Sequence, residues 1–279
     1  MSFINANGAR FHVQWLEPEP PAGADARPPL VVFVHGLVMD NLSSFYYTLA
    51  GPVAAAGARV LLYDLRGHGR SELIPRGYGV RDGVADLVAV LDAAGVTEPA
   101  YLVGNSFGGL IAARTTIAAP ERVAGLALIE ACCAGPPAAD WLEVMLNSMS
   151  AGALSLEFNR TAELWRAIGE RKIARMALTA ESLLNDTSLI DDLAAERPLD
   201  PAELAGIGCP LLAVYGELSE LAGGASDLRH HVRDCQVEII GGLAHTVLRD
   251  ANRALCGILL DWLLRHTALP AVPAAEGAR

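Results

Sequence analysis

A serine hydroxyl becomes a useful nucleophile only when a neighbouring base takes its proton. One serine of this sequence stands where such chemistry could occur. The stretch Val103-Gly104-Asn105-Ser106-Phe107-Gly108-Gly109 reads G-x-S-x-G, with an apolar run before it and a helix-like run after it. In that setting the serine sits on a sharp strand-to-helix turn with its hydroxyl exposed. Glycines two positions to either side let the chain turn without a steric clash. The candidate base is His245, in Gly241-Gly242-Leu243-Ala244-His245, just past the last run that reads as a strand. Sites in open α/β sheets form at the C-terminal edge of the strands, which is where both residues fall.

The elements around them follow from the hydrophobic pattern. Phe11, Val13 and Trp15 alternate after the turn Asn7-Gly8, as in one or two strands over residues 1–18. Leu30-Val31-Val32-Phe33-Val34 is apolar at every position, as in a strand buried on both faces of a parallel sheet. A helix is expected from about 41 to 56, with Pro52 as an irregularity. Arg59 to Tyr63 is the next strand and leads into a glycine-rich loop. Val84, Leu87, Val88 and Leu91 recur at helical spacing. Further strands are expected at 101–103, 123–129, 210–216 and 237–240, and helices at 106–118 and 252–265. Strand and helix alternating in this way imply parallel strands with right-handed crossovers. The alternation is interrupted from about 134 to 205, where helical periodicity replaces it. The sequence therefore divides into an α/β core over 1–133 and 206–266, a helical insertion over 134–205, and an Ala/Pro/Gly-rich tail over 267–279 expected to be disordered.

Bulk composition narrows the function. The net charge of −11 excludes the clustered Lys and Arg of a nucleic-acid footprint, and Lys172 is the one lysine among 21 basic residues. The residues after Met1 lack a basic region followed by an apolar one, and the longest apolar run, Tyr101 to Ala119, is broken by Asn105 and Arg114. Together with five cysteines and no C-x-x-C pair, this implies a reduced cytoplasmic protein with no membrane partner. Gly104 to Gly109 is not G-x-G-x-x-G, so no dinucleotide is expected, and His230-His231 lack the further ligands of a metal site. No cofactor is implied.

Four motifs in order at successive strand ends resemble the α/β-hydrolase superfamily across nearly the whole chain. They are His35-Gly36, Asp64-x-Arg66-Gly67-x-Gly69-x-Ser71, Gly104-x-Ser106-x-Gly108, and Gly242-x-x-His245 after the strand at 210–216. The resemblance implies the α/β-hydrolase fold: a mostly parallel sheet with helices on both faces and a helical cap. It makes Ser106 the nucleophile and His245 the base. It places the oxyanion donors at the backbone N–H of Phe107, at a helix N-terminus, and at that of Leu37. The acid departs from the family pattern. Gly216-Glu217-Leu218-Ser219 puts serine where many members carry aspartate. Glu220, one residue on, is the first alternative, and Glu130, at the end of the strand before the insertion, the second. Glu217 has a structural reading, and His68 either a structural one or a substrate contact. His35, Gly36 and Val38, with Trp141 and Trp165 of the insertion, are expected to bind substrate. The implied reaction is cleavage of a carboxylic ester or thioester with an apolar part, carrier-bound or free, through an acyl-enzyme. The same apparatus would serve acyl transfer or product release in bacterial specialised metabolism, or haloperoxidase-like perhydrolysis. A non-catalytic binder on the same fold is the reading from another class.

Overall fold

The structure, a computed structural model, describes residues 2–18, 27–38, 40–131, 133–134, 143, 170–267 and 269, with the backbone alone for 170–177. Its centre is an eight-stranded sheet. The strands are β1 (Ser2–Ala6), β2 (Ala9–Leu16), β3 (Leu30–Val34), β4 (Arg59–Tyr63), β5 (Ala100–Asn105), β6 (Val123–Ile129), β7 (Leu211–Gly216) and β8 (Cys235–Ile240). They lie in the order β1-β2-β4-β3-β5-β6-β7-β8. β1 and β2 form an antiparallel hairpin, and β2 is antiparallel to β4. From β4 to β8 every pair is parallel.

The apolar run of β3 has no solvent side. Leu30, Val32 and Val34 join one core and Val31 and Phe33 the other, as a period of two requires. The first core packs α3 (Val80–Ala93) and α4 (Phe107–Ala118) on the sheet through Leu87, Leu91, Leu110 and Ile111. The second packs α1 (Ser43–Phe45), α2 (Gly51–Ala55) and the C-terminal helix Asn252–His266 through Phe45, Val53, Leu255 and Trp262. Each such side chain contributes about 1.5–3 kcal/mol when fully buried. The expected helix over 41–56 is broken differently from the expectation. Between α1 and α2 the chain widens into a π-helical turn, Tyr46–Ala50. Pro52 has no N–H for the carbonyl four residues earlier, which removes one α-type bond across this stretch.

Residues 134–205 contain no strand among those described. They supply α5 (Glu170–Asn185), α6 (Leu189–Ala194) and α7 (Pro201–Ala205), the last started by a capping box between Asp200 and Glu203. Beyond them lie α8 (Ala225–His231), α9 (Val247–Asp250) and α10 (Asn252–His266). The segment after α5 is fastened to the start of α3. Asp192 accepts the Tyr78 N–H at 2.9 Å and Glu196 the Val80 N–H at 2.7 Å. The N-cap of α3, Gly79, has no side chain to do this, so carboxylates from the later segment satisfy the open helix end. Trp141 and Trp165 lie outside the described residues, as does nearly all of the tail.

Candidate active site

Ser106 lies between β5 and α4 with φ 52° and ψ −120°. A serine there is in a sparsely populated backbone region, a strain of order 1–3 kcal/mol that the surroundings must impose. They do so by close contact. The Ser106 N–H donates to the Ile129 carbonyl of β6 at 2.9 Å. A Cβ on Gly108 would lie 2.2 Å from the Val34 carbonyl oxygen, and one on Gly104 would lie 2.5 Å from Gly109 Cα. Both glycines are required by proximity, not by a positive φ.

His245, beyond β8, reaches back to this turn. Its Nε2 is 3.2 Å from Ser106 Oγ and its Nδ1 is 3.2 Å from Glu130 Oε2. A neutral imidazole with its hydrogen on Nδ1 fits both, donating to the carboxylate and accepting from the hydroxyl. The contacts are at the long end of the range and can tighten as charge develops. The carboxylate that meets His245 is therefore Glu130, the second of the two expected. Glu220, the first, is exposed. The physical reason is in the strand ends. Glu130 follows β6 with φ 49°, and its side chain lies under the loop after β7. There the Gly216 N–H donates to Oε1 at 2.5 Å and the Ser219 hydroxyl to Oε2 at 2.5 Å. Its side chain is 2% exposed, so the carboxylate needs these donors in place of water. Serine at 219 thus supports a carboxylate supplied by the neighbouring strand. Glu217 accepts the Gly242 N–H at 3.0 Å.

The loop after β3 lies against the Ser106 turn. A Cβ on Gly36 would be 3.4 Å from Ser106 Cβ. Side chains take four of the loop's N–H groups: Gly36 donates to Asp40 Oδ2, Val38 to His68 Nε2, Asn41 to Asp40 Oδ1, and Leu42 to Asp64 Oδ1, each at 2.8 Å. The N–H groups of Leu37 and Phe107 have no such partner among the described residues. Leu37 and Phe107 line one small cavity with Leu65, His68, Tyr78 and Ile111. His35, expected to bind substrate, is instead fully buried with both ring nitrogens engaged, by the Gly36 carbonyl at 2.7 Å and the Leu65 N–H at 2.8 Å. Gly36 does flank the site, whereas Val38 is half-buried against the first core.

Spacing alone does not reveal Asp40, Asp64 and Ser219. All three act through backbone N–H groups or another side chain. Asp64 begins the glycine-rich loop and also binds the Arg70 N–H at 2.9 Å and His12 Nδ1 at 2.8 Å. These partners hold its carboxyl below the usual range against the opposing effect of burial. A Cβ on Gly69 would strike its carboxylate at 2.3 Å, which accounts for glycine in that loop. His68 is buried, and burial first, then the neighbouring His35, push its pKa down to about 4. An unfolded histidine titrates near 6.5, so below that pH the unfolded chain binds a proton the folded chain refuses. Stability from this group is present above about pH 6.5 and is lost as pH falls toward 4, amounting to about 3 kcal/mol. Urea midpoints measured from pH 7.5 to 4.5 should fall accordingly, and the fall should flatten in a His68→Leu variant.

No group of three or more His, Cys, Asp or Glu that could hold a metal occurs among the described residues, and no helix among them is long and apolar enough to cross a membrane.

A family model described as the alpha/beta hydrolase fold matches residues 29–160. This match covers just under half of the chain, and the eight-stranded sheet with its helices is the α/β-hydrolase fold. The chain is 34% identical over 134 residues to epoxide hydrolase B of Mycobacterium tuberculosis, an alignment covering 47% of this chain and 35% of that protein. The match thus spans about a third of that relative's length. It is 27% identical over 220 residues to the pimeloyl-[acyl-carrier protein] methyl ester esterase of Cronobacter sakazakii, covering 71% of this chain and 80% of the relative. Among solved structures, a meta-cleavage product hydrolase from Pseudomonas fluorescens IP01 superposes with a TM-score of 0.72 at 18% identity, covering 96% of this chain and 98% of that one.

Proposed function

We propose that the protein is a serine hydrolase that cleaves a carboxylic ester or thioester through an acyl-enzyme. The observation that carries this is the chain Ser106 Oγ–His245–Glu130 beside two backbone N–H groups that no described side chain takes. His245 Nε2 takes the hydroxyl proton as Ser106 Oγ bonds to the carbonyl carbon. The resulting oxyanion is met by the N–H groups of Phe107 and Leu37. The same proton passes from His245 to the leaving alcohol or thiol as the carbon–heteroatom bond breaks. Water then repeats the sequence on the acyl-serine, its proton going to His245 and then back to Ser106, and the carboxylic acid departs. Glu130 orients the imidazole and offsets its charge in both steps.

The partial likeness to an epoxide hydrolase does not extend to that chemistry. Attack of a serine on an epoxide would give an ether, with no carbonyl for water to attack. An aspartyl nucleophile would give an ester, which water can open. Serine at 106 fits substrates that already carry a carbonyl. The insertion over 134–205 is rich in apolar residues, Trp141 and Trp165 among them, a composition that suits a substrate with a sizeable apolar part. The similarity to an esterase acting on a carrier-bound ester supports including carrier-linked acyl groups among the candidates.

The test is labelling by a fluorophosphonate probe followed by a panel of esters and acyl-thioesters of graded chain length. The label should map by mass spectrometry to the peptide holding Ser106, and the panel should show an optimum above acetyl. Folded protein that takes no label would favour the non-catalytic binder.

A further inference from the structure

Two buried histidines tie the loop after β3 to the loop after β4 in opposite directions. His35, in the first loop, accepts the Leu65 N–H of the second on Nε2 at 2.8 Å. His68, in the second loop, accepts the Val38 N–H of the first on Nε2 at 2.8 Å. Each ring also meets a backbone carbonyl through Nδ1 at 2.7 Å, Gly36 for His35 and Arg66 for His68. Every ring nitrogen is therefore committed, and both rings are in the Nδ1–H tautomer. They lie 5.3 Å apart, centroid to centroid, and are 0% and 1% exposed.

The bond to Val38 does more than join two loops. Val38 has φ 60°, a left-handed conformation that its branched Cβ strongly disfavours. Something must hold it there, and the His68 acceptor is the side-chain contact fixed on its N–H. The peptide unit that carries the Val38 N–H is the one that follows Leu37. Holding that N–H inward on His68 sets the rotation of the chain at Leu37, whose own N–H has no partner among the described residues. We propose that His68 is a positioning residue for the oxyanion site: by accepting the Val38 N–H it keeps Val38 left-handed and aims the Leu37 N–H at the carbonyl oxygen held over Ser106. This rests on the hydrolase reading given above. His68 touches no reacting atom.

Wild-type protein is first titrated with the fluorophosphonate, which separates the two readings. If folded wild type takes no label, the hydrolase reading fails and this inference falls with it. If it labels, His68→Leu, which keeps bulk but has no acceptor, and His68→Gln, whose amide can accept one N–H and donate another, are compared on the best ester of the panel. The Leu variant should lose about 10- to 100-fold in kcat with KM within about twofold, less than complete loss of an oxyanion donor. It should bind a boronic acid, which forms a tetrahedral adduct on the serine, more weakly by a similar factor. The Gln variant should recover part of both losses. A merely structural histidine would lower the unfolding midpoint and leave kcat and boronate affinity of the folded protein unchanged, and that result overturns the proposal. Should the Leu variant fail to fold, hydrogen exchange at the Val38 amide in wild type decides. Strong protection supports the bond, and exchange at the rate of a free loop amide refutes it.

Discussion

Ser106→Ala is expected to lower kcat on the preferred ester by about 10⁵- to 10⁶-fold and to abolish fluorophosphonate labelling. Alanine keeps the backbone free to take the same turn, since the contacts that impose it run through Gly104, Gly108 and the Ser106 N–H, not through the hydroxyl. What the substitution removes is the hydroxyl's hydrogen bond to His245 Nε2, 3.2 Å long in the wild-type chain. Stability should therefore change by about 1 kcal/mol or less, and the loss of rate would not be a loss of fold. Substrate should still bind, because the cavity beside Leu37 and Phe107 does not involve Oγ. Steady-state kinetics and thermal unfolding measured in parallel would check this. Residual turnover within a hundredfold of wild type would mean that water, activated by His245, attacks directly and that no acyl-enzyme forms.

The second large effect distinguishes the carboxylates. Glu130→Gln should reduce kcat by about 10³- to 10⁴-fold, and Glu220→Gln by no more than a few-fold. An amide at 130 still fills the space under the β7 loop, but it has no charge to offset an imidazolium. It also brings two N–H donors to a place where the Ser219 hydroxyl and the Gly216 N–H already donate. One donor must turn away or the amide must face its oxygen to them and its NH₂ to His245. That arrangement favours the wrong tautomer of the ring. Steady-state kinetics on both variants, with circular dichroism to confirm folding, would decide the assignment. Equal large losses in both, or loss in the Glu220 variant alone, would remove Glu130 from the mechanism.

Much of the architecture can be read from pattern because it rests on local chemistry. The buried strands stand out as uninterrupted apolar runs, and the Ser106 turn as glycines where a Cβ would strike backbone. His245 can be found because it follows a strand and therefore falls on the same sheet edge as Ser106. Which carboxylate meets His245 cannot be read in the same way, because its placement involves a backbone angle. Glu130 has φ 49° and its Oε2 lies 3.2 Å from His245 Nδ1, and a glutamate gives no sign of a positive φ in sequence. The available clue is Ser219. Read as a missing acid it points to its neighbour Glu220, whereas read as a hydroxyl donor it calls for a carboxylate from the next strand. The supporting cage of Asp40, Asp64, His35 and His68 is hidden for a related reason. Its bonds to backbone N–H groups mostly join one loop to another, and which loops meet is decided by the order of strands in the sheet.

The placement of these groups along the chain bears on how the protein is made. Ser106 and Glu130 directly follow the adjacent strands β5 and β6, whereas the histidine that joins them comes 139 residues after the serine and 115 after the glutamate. Contacts of such sequence separation close late, after the entropy of a long loop has been overcome. A chain emerging from the ribosome thus carries Ser106 and Glu130 without His245 between them for a large part of its synthesis, and on the proposed function it would be idle toward esters until then. Recovery of turnover during refolding should report the docking of the last strand and the loop behind it, well after the helices have formed.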